Sequence, residues 1–250
     1  MKQVQPYSAL ADVYDLVMSH VDYEGWADFL VHLVEMHMPE SSGLRALELG
    51  AGTGLLTECL YDASDWELTL TDHSADMLAA AGRRFPDGDV KIQHLDFGGA
   101  WKLEGRDYDV ILLMYDGFNY LLEPSGVHAL LQGVQAHLKP GGLFLFDQST
   151  PHNSINNAEF FEDEGEEDGF EYRRTSQFDP DSAIHTTAFD IRTPSGSFHE
   201  EHRQRAWTRQ AVEGLLAEHP LEVVASFDGF SLDPANDESE RVHWVLRKPD

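Results

Sequence analysis

The 250-residue sequence contains few of the residues that build several common kinds of site. Cys59 is its only cysteine, which excludes an intramolecular disulfide and a zinc site made from several cysteines. No stretch approaches the roughly 20 consecutive apolar residues of a membrane span. The first ten residues, MKQVQPYSAL, hold one lysine with no apolar run behind it, unlike a secretory signal. We therefore expect a cytoplasmic protein with no membrane partner.

Positive charge is also scarce. Lysine and arginine number 17 against 45 aspartate and glutamate residues, for a formal charge of −28, and the densest acidic run is 159–171. Nucleic-acid binding depends on cations that replace counterions on phosphates, so we expect no nucleic-acid partner. This excess of acid is typical of adaptation to high intracellular salt, which screens self-repulsion; an ordinary acidic protein is the alternative interpretation.

Apolar residues make up 42% of the chain, which is enough for one sizeable core. Short apolar runs alternate with helical patterns, and this alternation predicts a doubly wound, Rossmann-like α/β sheet. The predicted strands of this seven-stranded sheet, the last one antiparallel, are 44–50, 66–72, 90–96, 108–115, 142–147, 221–227 and 241–247. The predicted helices between them are 54–62, 75–84, 127–137 and 208–218.

The remaining segments suggest two additions within a single domain, 1–250. Residues 1–40 read as a helical cap, with apolar residues at helical spacing over 10–18 and 26–34. Residues 151–206 read as an inserted antiparallel meander, with extended segments at 170–178, 183–191 and 197–207. The core is then 41–150 plus 207–250. We expect the acidic run 159–171 to form a solvated loop or a strand edge.

The first core strand ends in Glu48-Leu49-Gly50-Ala51-Gly52-Thr53-Gly54. Alternate glycines let the backbone turn sharply and come close to a ligand, where a Cβ would collide. A dinucleotide site prefers G-x-G-x-x-G, whereas the third glycine here comes one residue early. A glycine loop of this kind favours a nucleoside ligand without settling which one.

Acidic residues end the next two strands. Asp72 is placed to accept hydrogen bonds from two ribose hydroxyls, and Asp96-Phe97 could meet an adenine amine and cover the base. Together with Glu48, these acids suit a ligand with a ribose, an adenine and a positive charge. Each acid taken singly could instead cap a helix.

With these motifs the chain resembles the class I S-adenosylmethionine (SAM)-dependent methyltransferases. The stretches that carry the resemblance are ELGAGTG at 48–54, TDHSADML at 71–78, HLDF at 94–97, YDVILLMYDGFNYL at 108–121 and LKPGGLFLFD at 138–147. YSALADVYDLVM, DYEGW, HRQRAW, FDGFS and ESERVHWVLRK extend it to a small-molecule-type subgroup with an inserted antiparallel sheet. HPLEVV at 219–224 departs from the family, which often has a glycine there.

The resemblance implies SAM as cofactor and assigns residues to it. The residues it places around SAM are Tyr14, Trp26, Glu48, Gly50, Ala51, Gly52, Asp72, His73, Met77, Asp96, Phe97 and Met114. Aromatic faces attract a sulfonium cation by about 0.5–2 kcal/mol, although Trp26 could equally pack on its helix face.

A small-molecule methyl acceptor is expected just beyond the fourth strand. Its candidate catalytic residues are Tyr115, Asp116, Asn119, Tyr120 and Arg205. Asp116 could hold or deprotonate an amine, or cap a turn together with Asn119. Arg205 could pair with the acceptor or with a neighbouring glutamate. Tyr7, His152 and His202 could reach the same cavity.

Two other functions remain open from the sequence: a non-catalytic protein that binds SAM or a nucleoside, and an NAD(P)-dependent oxidoreductase. The early third glycine and the antiparallel last strand weigh against the oxidoreductase. Neither a metal-binding H-E-x-x-H nor a G-x-S-x-G nucleophile motif occurs, so we expect no metal site and no hydrolase.

Overall fold

The structure, a computed structural model, describes residues 1–39, 42–167 and 169–250. The helices are α1 (Tyr14–Val17), α2 (Tyr23–His37), α3 (Leu55–Ala63), α4 (Ala75–Arg84), α5 (Pro124–His137), α6 (Pro151–Asn156) and α7 (Arg209–Leu216). The strands are β1 (Lys2–Gln3), β2 (Arg45–Leu49), β3 (Glu67–Asp72), β4 (Lys91–His94), β5 (Tyr108–Leu113), β6 (Leu138–Ser149), β7 (Glu162–Glu167), β8 (Phe170–Asp179), β9 (Ile184–Thr193), β10 (Gly196–Arg205), β11 (Glu222–Asp228) and β12 (Arg241–Arg247).

The larger sheet has seven strands in the order β11-β12-β6-β5-β2-β3-β4. Strands β2 to β6 pair in parallel, while β12 runs antiparallel to both β6 and β11. This confirms the predicted doubly wound sheet with an antiparallel last strand. The chain progresses outward in opposite directions from the adjacent pair β2 and β5, so a crevice forms at their carboxyl ends, where open α/β sheets bind ligands.

The central strands are apolar along their length because helices cover both faces of the sheet. In β5, five of the six residues are buried, and in β2, four of five. One apolar cluster lies on each side of the sheet, and a third joins the amino-terminal helices to the smaller sheet. This third cluster contains Leu10, Val17 and Ile191, and it fixes the amino-terminal segment over the crevice.

Side-chain caps set where several helices begin. Asp22 accepts a hydrogen bond from the backbone N–H of Gly25 at the start of α2, and Thr208 accepts one from Ala211 at the start of α7. Pro124 occupies the first turn of α5, so this helix begins three residues before the predicted position 127. Within the residues that the structure describes, no helix has both the length and the apolarity to cross a membrane.

The smaller sheet has the order β1-β10-β9-β8-β7. Strands β7 to β10 form the predicted antiparallel meander, and β1 adds to β10 in parallel. The acidic run forms edge strand β7 over 162–167, which agrees with the predicted strand edge rather than with the predicted solvated loop. Asp168 within that run, and the predicted boundary at residues 40 and 41, lie outside the described residues.

Two parts of the secondary structure differ from the sequence pattern. The helical periodicity over 10–18 produces a 3-10 turn, Leu10–Asp12, and the four-residue α1, because Val13 between them has a non-helical φ of −122° and ψ of 6°. Neither β1 nor α6 was predicted. Strand β1 is only two residues long, and its pairing depends on the position of β10, which no local pattern specifies.

Candidate active site

The glycine loop follows β2 at the crevice. Gly50 and Gly52 have φ angles of +62° and +60°, in the left-handed region that side chains avoid. A Cβ at Gly50 would lie 3.2 Å from the Phe97 ring, and one at Gly52 would lie 3.6 Å from the Tyr14 ring. The structure therefore brings together four residues assigned to the cofactor from the sequence.

Asp72 ends β3 beside this loop and is 8% exposed. Its Oδ2 accepts the backbone N–H of Gly52 at 2.9 Å, and its Oδ1 accepts that of Ser74 at 2.7 Å. Burial raises the pKa of Asp72, while these two N–H donors oppose the rise. A carboxylate has about four lone-pair sites, so acceptors remain for two ribose hydroxyls.

Glu48 lies beneath the loop and is buried. Its carboxylate accepts a hydrogen bond from Thr57 on α3, and its carbonyl oxygen accepts one from the hydroxyl of Thr71. Burial raises the pKa of Glu48 to about 7, with Thr57 opposing the rise and Asp72 adding to it. Glu48 thus ties the strand that precedes the loop to the helix that follows it.

The other residues assigned to the adenine side lie around the tips of β3 and β4. Asp96 is exposed, and its Oδ1 accepts the N–H of Gly98 at 3.0 Å. His73 is exposed, with its ring 5.4 Å from that of His94, whereas Met77 is fully buried. Met114 is buried beneath the end of β5.

Trp26 packs within the protein. Its ring centroid lies 5.6 Å from that of Tyr115 and 4.7 Å from that of Phe230, and the guanidinium of Arg241 lies 5.5 Å above it. These contacts agree with the alternative in which Trp26 packs against its neighbours. Tyr115 lies between Trp26 and the crevice.

Tyr115 and Asp116, separated from the end of β5 by one residue, have φ angles of +57° and +62°. Two consecutive residues other than glycine in this region are costly, and such strain concentrates at functional sites. Asp116 accepts a hydrogen bond at 2.7 Å from Arg241, which also pairs with the fully buried Asp147. Burial raises the pKa of Asp147 and Arg241 opposes the rise. Asp116 is thus an ion-paired carboxylate that lines the crevice next to Tyr115.

The remaining candidates divide between the cavity and its supports. Tyr120 donates to or accepts from Tyr7 at 2.6 Å and His202 at 3.0 Å. Asn119 lines the cavity, but its side-chain hydrogen bonds run to the backbone of Ser149 and to the carbonyl of Arg205, so it also ties the two sheets together.

Arg205 lies outside the cavity, contrary to its assignment to catalysis. Its Nε donates to the carbonyl of Leu122, its guanidinium stacks over Trp207 at 5.1 Å, and it approaches Glu123 at 3.6 Å. The physical reason is strand alternation, because neighbouring Gln204 and Ala206 take the positions that face the cavity. The contacts of Arg205 therefore agree with the alternative in which it pairs with a neighbouring glutamate, here Glu123.

A cavity of about 390 Å³, which we name the central cavity, lies between the amino-terminal segment, the tip of β5, α6 and the inner face of the smaller sheet. The residues that line it include Tyr7, Tyr14, Tyr115, Asp116, Asn119, Tyr120, Asn153, Ser154, Ser176, His185, Thr187, His202 and Arg241. Most of these are hydroxyl, amide or imidazole side chains. Tyr14 also contacts the position of Gly52, so one ring stands between the glycine loop and the cavity.

Sequence reasoning assigned no role to Arg241, Asp147 or Glu200. Arg241 lies within ESERVHWVLRK, but nothing local marks it as the partner of Asp116, 125 residues earlier. Asp147 and Glu200 are both 0% exposed in the structure, and nothing local in the sequence marks either acid as buried.

These residues fit SAM. The glycine loop lies so close to Phe97 that a Cβ at Gly50 would contact the ring. Asp72 keeps lone pairs that can accept hydrogen bonds from a ribose, and tyrosine rings lie beside the loop. Among the described residues, no group of three or more histidine, cysteine or acidic side chains is arranged to hold a metal ion.

Comparison with known proteins gives the same result. Residues 46–142 match the family described as "Methyltransferase domain". The chain is similar to "Putative methyltransferase YqeM" of Bacillus subtilis (strain 168), with 27% identity over 97% of each chain. It is 31% identical, over 55% of this chain and 56% of the other, to the Streptomyces venezuelae dTDP-3-amino-3,4,6-trideoxy-alpha-D-glucopyranose N,N-dimethyltransferase.

In fold, the chain is similar to a SAM-dependent methyltransferase from Clostridium acetobutylicum ATCC 824, with a TM-score of 0.78, 24% identity, and 98% of this chain and 99% of that one covered. The doubly wound sheet, the glycine loop and the matched domain agree with the resemblance seen in the sequence. The match over residues 46–142 shows a methyltransferase domain there, and the chain as a whole is similar in fold to SAM-dependent methyltransferases.

Proposed function

We propose that this methyltransferase transfers the methyl group of SAM to a nitrogen or oxygen atom of a polar small molecule held in the central cavity. The observation that carries the proposal is the position of Tyr14, whose ring contacts the glycine loop on one side and lines the cavity on the other. A molecule in the cavity would be separated from the loop by little more than this ring.

The polar lining supports a hydroxylated or amine-bearing acceptor. The Ser154 hydroxyl lies 3.0 Å from Nδ1 of His185, and the hydroxyl oxygens of Ser176 and Thr187 lie 2.9 Å apart, so hydroxyl groups line part of the cavity. Such groups both donate and accept, which suits polyols and amino sugars. The Streptomyces venezuelae relative named above acts on an amino sugar nucleotide, which supports the same class.

SAM supplies a methyl group on a sulfonium, which is already an activated leaving group. The contribution of the chain is then to align the acceptor and exclude water, and alignment alone can lower a barrier by about 7–11 kcal/mol. Burial raises the pKa of Tyr115 to about 12 and that of Tyr14 well above its ordinary value, so both remain neutral phenols. Their ring faces, rather than a negative charge, would meet the positive sulfonium.

The amino-terminal helices and the smaller sheet would together determine which acceptor enters. We infer one domain, 1–250, in which residues 1–40 cap the site and 151–206 form a lid on the core of 41–150 and 207–250. The third apolar cluster, which contains Leu10 and Ile191, supports this division because it joins the cap to the lid.

The charge of −28 supports two further parts of the proposal. A surface with so few cations repels phosphate backbones, so nucleic acid is not the acceptor. The same surface suits a cytoplasm rich in potassium salts, where screening removes self-repulsion. We expect the protein to act there.

The proposal is tested by incubating the protein with SAM and a panel of amino sugars, polyols and phenols, with S-adenosylhomocysteine measured by mass spectrometry. Turnover of an amino sugar or polyol supports the polar-acceptor class. Turnover of phenols alone, or of none of the panel by a protein that binds SAM, would contradict it.

Two tryptophan variants on β8 locate the acceptor. Ser176 faces the central cavity, whereas the next residue, Gln177, is exposed on the opposite face. Ser176→Trp should fill the cavity and abolish turnover with SAM affinity unchanged, while Gln177→Trp should retain wild-type turnover. Equal turnover in the two variants would place the acceptor elsewhere.

A further inference from the structure

A chain of buried hydrogen bonds starts at the wall of the central cavity. The hydroxyl oxygens of Tyr7 and Tyr120 are 2.6 Å apart, and that of Tyr120 is 3.0 Å from Nδ1 of His202. The other ring nitrogen of His202, Nε2, is 3.2 Å from Oε2 of Glu200. His202 is 2% exposed and Glu200 is 0% exposed, so water does not compete for these contacts.

Glu200 sets the direction of this chain. Its two carboxylate oxygens accept the backbone N–H groups of Tyr7 at 2.8 Å, Ala9 at 2.6 Å and Leu10 at 2.9 Å. A carboxylate that serves as acceptor to three donors accepts from His202 as well, so Nε2 carries the proton. In the neutral imidazole Nδ1 is then bare and accepts from the Tyr120 hydroxyl.

The order of donors follows from that assignment. The Tyr120 hydroxyl donates its proton to His202, so the Tyr120 oxygen accepts a hydrogen bond from the Tyr7 hydroxyl. The lone pairs of the Tyr7 oxygen are then left facing the cavity. Tyr7 is held there in a strained backbone conformation, with φ of +62°, between Glu200 and the hydroxyl of Ser74, which donates to its carbonyl.

We propose that Tyr7, Tyr120, His202 and Glu200 form a proton relay that removes the proton from the methyl acceptor. The inference rests on the proposed function. The proton leaves the acceptor N–H or O–H for the Tyr7 oxygen as that nitrogen or oxygen bonds to the methyl carbon, and the carbon–sulfur bonding pair stays with sulfur. The Tyr7 proton moves to Tyr120 and the Tyr120 proton moves to Nδ1, which leaves an imidazolium beside the Glu200 carboxylate.

Other groups at the cavity are less suited to this task. Asp116 is already paired with Arg241. Burial raises the pKa of both Tyr7 and Tyr120, so neither ionises alone. A relay avoids a tyrosinate, because each phenol gives up one proton as it receives another.

The direction of the relay is tested without an acceptor. Nitrogen-15 NMR of histidine-labelled protein distinguishes a protonated ring nitrogen from a bare one, and the His202 signals are those lost in His202→Gln. The proposal predicts a bare Nδ1 and a protonated Nε2. The opposite tautomer, with Nδ1 donating to Tyr120, would overturn it.

The function of the relay is tested by kinetics on a panel member that the wild type methylates. Tyr120→Phe and His202→Gln should lower kcat by about 100-fold or more, typical of a lost general base, with KM and SAM affinity little changed. His199→Gln is the matched control, because His199 precedes Glu200 on β10 but pairs with Asp190 on the outer face. Wild-type kcat in Tyr120→Phe would overturn the relay.

These outcomes separate the relay from the proposed function. A folded wild type that methylates no panel member counts against the proposed function alone, and the His202 tautomer still decides the relay. A purely structural network would lower the melting temperature of Tyr120→Phe and His202→Gln without lowering kcat in the fraction that remains folded.

Discussion

Arg241, on the last strand of the larger sheet, donates from Nη1 to Oδ1 of Asp116 at 2.7 Å. The same guanidinium pairs with Asp147, which is 0% exposed. Burial alone would lower the pKa of Arg241, but the two carboxylates outweigh it and the pKa rises. The strained turn beyond β5 is thereby anchored to β6 and β12.

Removal of this cation should destabilise the fold. Arg241→Met leaves the buried Asp147 carboxylate without its cationic partner, although the backbone N–H of Asp116 still donates to it, and this loss typically costs about 3–5 kcal/mol of unfolding free energy. Arg209→Met is the control, because Arg209 also pairs with two acids, Glu213 and Asp237, but at the surface, where about 1 kcal/mol or less is expected. Urea denaturation measures both, and equal losses would contradict the anchoring role.

Glu48 should make stability depend on pH. Its pKa is about 7 in the folded state against an ordinary 4.5, so the folded protein binds more protons between these values and the free energy of unfolding falls as pH rises through that range. Glu48→Gln removes this contribution of Glu48 to the pH dependence of the free energy of unfolding. Relative to wild type, the variant should gain up to about 3 kcal/mol between pH 4.5 and 7.5.

Urea denaturation at several pH values from 4.5 to 8 tests this difference. Glu67→Gln is the control, because Glu67 is on the surface beside Lys91, which lowers its pKa, and the substitution should add no such gain over this range. A stability difference between Glu48→Gln and wild type that does not change with pH would contradict the prediction.

A comparison of Gly50 with Gly43 separates the cost of a strained backbone from the cost of a Cβ that contacts a neighbouring side chain. Gly43 and Gly50 have similar φ angles of +58° and +62°, but a Cβ meets nothing within 4 Å at Gly43 and lies 3.2 Å from Phe97 at Gly50. Gly43→Ala should cost about 1–2 kcal/mol from strain alone. Gly50→Ala should cost more and also weaken SAM binding. Calorimetric titration and denaturation of both variants measure this, and equal SAM affinities would contradict it.

Salt should stabilise so acidic a protein. With a charge of −28, raising KCl from 0.05 to 2 M should raise the melting temperature by several degrees through screening. A variant with Glu162→Gln, Glu164→Gln and Glu166→Gln, on the exposed edge strand, should gain less. A melting temperature that does not rise with KCl, or an equal gain in both proteins, would favour the ordinary acidic protein.

Local patterns predicted the larger sheet and the cofactor side of the site. Glu48, Asp72 and Phe97 lie at or just beyond the carboxyl ends of parallel strands that meet at one edge of the sheet, so their proximity follows from the strand order. The acceptor side depends on distant contacts instead. Arg241 reaches Asp116 because β12 inserts between β11 and β6, and Glu200 reaches Tyr7 because the smaller sheet folds over the cap. No spacing within the sequence encodes either contact.

The most direct measurement is calorimetric titration of the folded protein with SAM, in 0.1 M and in 2 M KCl, for wild type, Asp72→Asn and Asp76→Asn. The wild type should bind SAM. Loss of charge-assisted bonds to the ribose should weaken Asp72→Asn by about 10- to 100-fold, whereas Asp76, exposed on α4, should be replaceable without effect. A folded wild type that binds no SAM at either salt concentration, or wild-type affinity in Asp72→Asn, would contradict the account of the site.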